Sequence, residues 1–152
     1  MALKGDRQVI LQDISYFMNQ TAERGGVAVI STVGSGAAMD SAIQLVQYST
    51  SSSAVKAIGV LLNDVVDIDL TRFHLNQHKD EVQKGSKVTL LKIGSITTDY
   101  LASGITVAGG NTAYVGAEGR FTNVPPGGGE TVGRFDTKVD SEGFCRISVS
   151  IP

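Results

Sequence analysis

The sequence predicts a mainly β fold: a small β-barrel or β-sandwich preceded by an N-terminal arm or short helix. Three observations carry this expectation. From Val27 onward, short runs rich in β-branched residues follow one another, separated by clusters of Gly, Ser, Asn and Asp. The C-terminal runs alternate apolar and polar residues with a period of two, as half-buried strands do. No strand–helix–strand alternation is present, which argues against dinucleotide-binding and P-loop architectures. The chain has 152 residues, the length of one domain. It is 41% apolar and 18% charged, a globular composition that can build a core without disulfide or metal staples.

Residues 1 to 25 form the first segment. They are polar, with Val9, Ile10, Leu11, Ile14, Tyr16, Phe17 and Met18 set among them. Spacings of three and four among Leu11, Ile14, Phe17 and Met18 predict a short amphipathic helix, closed by Gly25-Gly26. The body, residues 26 to 152, is expected to be complete without this arm. Its seven apolar residues are therefore candidate contacts to a partner or a neighbouring subunit, with a helix packed on its own domain as the alternative.

In the body, "VAVIST" and "AIQLVQYS" read as strands joined by the turn-rich "VGSGAAMDS". "KAIGVLLNDVVDIDL" is one buried strand, or two broken at Asn63-Asp64. "KVTLLKIG" and "SITTDYL" follow, then "GITVAGGNTAYV". "GAEG" (116 to 119) turns the chain between "NTAYV" and "RFTNV". "PPGGGE" (125 to 130) is a longer loop. "DSEG" (140 to 143) suits a type I turn closed by a left-handed residue, joining "VGRFDTKV" to "FCRISVSI". In that pair Phe135, Thr137 and Val139 share one face; Cys145, Ile147, Val149 and Ile151 share another, with Arg146, Ser148 and Ser150 opposite. The glycines thus turn the chain. A phosphate-binding loop would run into a helix and end in Gly-Lys-Ser or Gly-Lys-Thr, and strands follow here instead.

The candidate chemistry is thin. A net charge of −2 without a basic block argues against nucleic-acid binding. One cysteine, Cys145, excludes an intramolecular disulfide framework and a cysteine-rich zinc site, fits synthesis in a reducing cytoplasm, and reads as a small buried apolar residue. The N-terminus lacks the apolar core of a signal peptide, and no run approaches the length of a membrane-spanning helix. Tryptophan is absent and aromatics make up 6%, against a carbohydrate-stacking role. His74 and His78, near Asp80 and Glu81, lack the Glu that follows the first His of a zincin. Asp64, Asp67 and Asp69 lack the glycine of a Ca²⁺ loop. No Gly-x-Ser-x-Gly setting supports a catalytic triad. Neither an enzyme, a cofactor nor a metal is expected.

The C-terminal two thirds carry a resemblance. "GVLLNDVVDIDLTRFHLNQHKDEVQKGSKVTLLKIGSITTDYL", "GNTAYVGAEGRFTN" and "VGRFDTKVDSEGFCRISV" resemble the capsid decoration, or cement, proteins of tailed bacteriophages. The matching segments are Gly59-Val60-Leu61, Ala113-Tyr114-Val115 and Val132-Gly133-Arg134, within residues 55 to 151. The resemblance implies a β-tulip-like barrel. It also implies a virion structural protein, made in the host cytoplasm, that sits as a homotrimer on the outer surface of the phage head. There it would bind the major capsid protein and stabilise contacts between its subunits. The alternative is a tail, neck or fibre-base component on a similar barrel; a more remote one is a small trimeric hydrolase. Trimeric dUTP-hydrolysing enzymes share only size and glycine content, because their Phe-Gly-Ser/Thr-Gly tail is absent.

Overall fold

A computed structural model describes residue 3 and residues 7–31, 45–51, 53, 55–64, 81–82, 84–128 and 130–152, with Asn63, Asp64 and Glu81 by backbone alone. The described chain is mainly β, as expected. Its strands are β1 (Gln8–Met18), β2 (Ala22–Glu23), β3 (Val27–Ile30), β4 (Leu45–Gln47), β5 (Ala57–Asp64) and β6 (Glu81–Val82). After them come β7 (Lys87–Thr98), β8 (Thr112–Val115), β9 (Phe121–Thr122), β10 (Thr131–Phe135) and β11 (Cys145–Ser150).

Pairing closes part of the main sheet into a ring. β1 pairs with β4 in parallel, and β4–β3, β3–β5, β5–β7 and β7–β1 pair antiparallel. The sheet continues beyond the ring from β7 through β11, β10 and β8 to β9. β7 is the shared strand. One edge meets β1 from Lys87 to Ser95; the other meets β5 near Leu90 and β11 from Ile93 to Thr98.

Two apolar cores follow from strand alternation. Met18, Ala28, Val46, Leu61, Val88 and Leu90 are buried together, so every strand of the ring contributes to one cluster. The neighbouring residues Val27, Val29, Val60, Leu62 and Leu91 belong to the other. They pack there with Ile96, Phe121, Phe135, Ile147 and Val149 from the extended part of the sheet. Central strands buried on both faces explain why "GVLL" and "TLL" read as continuous apolar runs. Each fully buried aliphatic or aromatic side chain contributes about 1.5–3 kcal/mol.

The N-terminal segment differs from the expectation. Residues 8–18 form a strand, not a helix, and the strand closes the ring instead of standing apart from it. A domain boundary at residues 25/26 would cut through this unit. The three- and four-residue spacings come from irregular pairing. Ile10 is an extra residue on β1 between Val9↔Gly94 and Leu11↔Ile93, and a further shift lies between Asp13 and Tyr16. Such bulges break the period-2 pattern, while β-branched Val9, Ile10 and Ile14 favour extended backbone.

Gly94 shows a second difference. "KVTLLKIG" and "SITTDYL" are not two strands but one, β7, which runs through the glycine. A Cβ on Gly94 would lie 2.1 Å from the carbonyl oxygen of Gln8, and φ is +155° there. The glycine is needed for the close approach of β1, not for a break. The terminal hairpin matches its reading more closely. Gly143 sits at φ +90°, and its N–H donates to the Asp140 carbonyl at 3.2 Å. Asp140 Oδ1 accepts from the N–H groups of Glu142 and Phe144, each at 2.9 Å. Cys145, Ile147, Val149 and Ile151 are all buried, as the alternation requires. β10, however, ends at Phe135, and Thr137 is exposed. There the Thr137 hydroxyl accepts from the Arg146 N–H instead of continuing the ladder.

Gly94→Ala is expected to destabilise the protein by about 1–3 kcal/mol through overpacking, read as a lower urea midpoint. Gly127→Ala, which meets nothing within 4 Å, should stay within about 0.5 kcal/mol of the parent. Deleting residues 2 to 24 removes β1 and buried Met18 and Ala22. The truncated chain should lose cooperative unfolding and become protease-sensitive.

Candidate functional site

The seven N-terminal candidates divide by burial. Val9 (39% exposed), Ile10 (68%), Leu11 (48%) and Ile14 (46%) lie at the surface on β1. Ile93, at 36%, stands opposite Leu11 on β7 and extends the apolar area. Tyr16 and Phe17 are half-buried. Tyr16 packs on the ring core, and Lys87 Nζ lies 5.4 Å from the centroid of the Phe17 ring. Met18 is fully buried, so it is a core residue and not a contact to a partner. The cause is the parity of the strand: Tyr16 stands opposite Val88, and Met18, two residues on, points to the same interior face.

The exposed set is held on a stiff support. β1 shares backbone hydrogen bonds with β7, and β7 is itself paired on its other edge. Asp13 Oδ1 accepts from both the N–H and the hydroxyl of Ser15, fixing the backbone where the register shifts. Four large apolar side chains therefore lie exposed along one strand.

A polar cleft of about 310 Å³ lies elsewhere, lined among others by Thr21, Glu23, Tyr48, Tyr100 and Glu118. Sequence reasoning did not single it out. Tyr48 is buried, and its hydroxyl donates to the Glu23 carbonyl and accepts from the Gly26 N–H at 3.1 Å. Burial holds its phenol well above the usual tyrosine range. The Tyr100 ring lies 5.4 Å from that of Tyr48, and the Arg120 guanidinium carbon lies 4.7 Å from the Tyr100 ring centroid. Burial also raises the Tyr100 phenol, against the opposing pull of Arg120. Both phenols stay protonated at neutral pH and tie the loop after β2 to that before β9. Neither phenol is an activated nucleophile.

Cys145 is buried, as its position in the alternation requires, and burial, with Asp140 adding, pushes its thiol up to about 11 from 9.0. It is a poor thiolate nucleophile at neutral pH. His74, His78, Asp67, Asp69 and Asp80 lie outside the described residues, as do the side chains of Asp64 and Glu81. Among the described residues, no three His, Cys, Asp or Glu side chains come together as metal ligands. Also among the described residues, no helix is long and apolar enough to cross a membrane.

Fold and surface together define a β-ring protein that presents an apolar sheet edge. No protein-family model matches the chain, and no curated protein matches it.

Tyr48→Phe leaves the buried Gly26 N–H and the Glu23 carbonyl without this partner. It should cost about 1–3 kcal/mol in urea unfolding. Because the folded-state pKa of Cys145 is raised, its contribution to stability is complete below pH 9 and is lost as pH climbs through about 11. A thiol reagent should leave Cys145 unlabelled in the native protein at neutral pH and label it in urea. Cys145→Val should flatten part of the alkaline loss of stability.

Proposed function

We propose that this chain is a virion structural protein that binds the outer surface of a tailed-phage head and stabilises contacts between major capsid protein subunits. The carrying observation is the apolar edge formed by Val9, Ile10, Leu11 and Ile14 on a strand bonded into the body. A protein that clamps other subunits needs such a surface, and needs it preorganised so that little ordering cost offsets the contact. The resemblance of residues 55 to 151 to phage decoration proteins supports the same reading, and adds a homotrimer around a closed axis. Burying each exposed side chain on the shell is worth about 1.5–3 kcal/mol before ordering costs. Three copies acting together multiply the effect of a modest single contact.

The test is co-sedimentation with expanded heads built from the cognate major capsid protein. The full chain is expected to bind, and Ile10→Asp/Leu11→Asp is expected to bind at least about tenfold more weakly, each aspartate opposing burial. Circular dichroism should show both proteins equally folded. Equal binding by the two would remove the β1 edge from the contact. Binding to tails or necks, and not to heads, would replace the head assignment with the tail one.

A further inference from the structure

We infer that the outer edge of β1 pairs with β1 of a second copy of this chain, antiparallel about a two-fold axis through Ile10. Among the described residues, β1 bonds to β7 along one edge, and to β4 on the other only at Phe17 and Met18. From Gln8 to Ile14 the outer edge therefore meets no described strand. An extended edge carrying exposed apolar side chains is a template for a further strand. Bulges can blunt such an edge, but the two near its centre offset each other. Ile10 is the extra residue on β1 and Lys92 the extra residue on β7, so Gln12↔Leu91 returns to the register of Gln8↔Ser95.

The segment itself identifies the occupant. In an antiparallel pair related by a two-fold axis, residues equally far from the centre stand opposite each other on the same face. Centred on Ile10, the isoleucine meets itself, Val9 meets Leu11, Gln8 meets Gln12, and Arg7 meets Asp13. Apolar faces apolar, amide faces amide, and a guanidinium faces a carboxylate in each of two symmetry-related pairs. A shift of one residue loses this match. One direction sets Arg7 against Ile14 and Val9 against Gln12; the other sets Gln8 against Leu11. Arg7 is exposed, and Ser15 fixes the Asp13 carboxylate through Oδ1. A two-fold contact of this kind cannot close a three-fold ring, so it would join one assembly to the next. The inference rests on the strand alone and does not require the virion reading.

Disulfide trapping of the full chain tests it in solution, without heads. Ile10→Cys should give a covalent dimer on mild oxidation; buried Cys145 does not compete. Gln8→Cys and Gln12→Cys should each give little dimer alone but a mixed dimer when combined. In the Ile10→Cys background, Arg7→Asp should lower the yield about tenfold, as two attractive pairs become repulsive, while Arg7→Lys should keep it. No dimer from Ile10→Cys, equal trapping at all three positions, or indifference to Arg7→Asp would each overturn the pairing. Normal head binding by a protein that fails to pair would leave the proposed function standing and remove this inference alone.

Discussion

The antiparallel contact between β1 and β7 is the constraint on which the rest depends. β7 is the only strand that belongs both to the ring and to the extended sheet among the described residues. It is paired on both edges, and its buried residues Leu90 and Leu91 point into different cores. The ring closes only because β1 comes close enough to bond to it. That approach needs Gly94, where any Cβ would meet the Gln8 carbonyl. One glycine therefore couples the N-terminal strand, the ring core and the sheet that carries β11.

Much of this was legible in the sequence, and the exceptions share a cause. The hairpin turn at Asp140–Gly143, the turn at 116 to 119 and the buried face of β11 were readable because each depends on residues close in sequence. A turn needs its Asp and Gly, and a half-buried strand needs its alternation. β1 and Gly94 were misread because their conformation is set across the sheet. Bulges gave β1 a helix-like apolar spacing, and Gly94 looked like a strand break although it serves a neighbour more than 80 residues away. Local pattern carries no record of such a partner.

The candidate surface was legible by residue type and not by role. Residue type alone does not distinguish the seven apolar N-terminal residues. Position along the strand separates them, with a register shift between Asp13 and Tyr16: Met18 turns inward, Tyr16 and Phe17 are half-covered, and Val9, Ile10, Leu11 and Ile14 remain outside. Ile93 joins that surface only because β7 runs beside β1. The Tyr48–Tyr100 pair escaped notice for a similar reason, since nothing near either residue in sequence announces the other.

An apolar edge attached to a core strand has a consequence for binding. A flexible arm would pay to be ordered at the moment of contact, whereas β1 is ordered by β7 before any partner arrives. The same attachment makes the surface inseparable from folding. Tyr16 and Met18 join the ring core while Val9, Ile10, Leu11 and Ile14 stay exposed, on one continuous strand. A substitution at the outward positions can therefore report on association, and one at the inward positions reports on stability first.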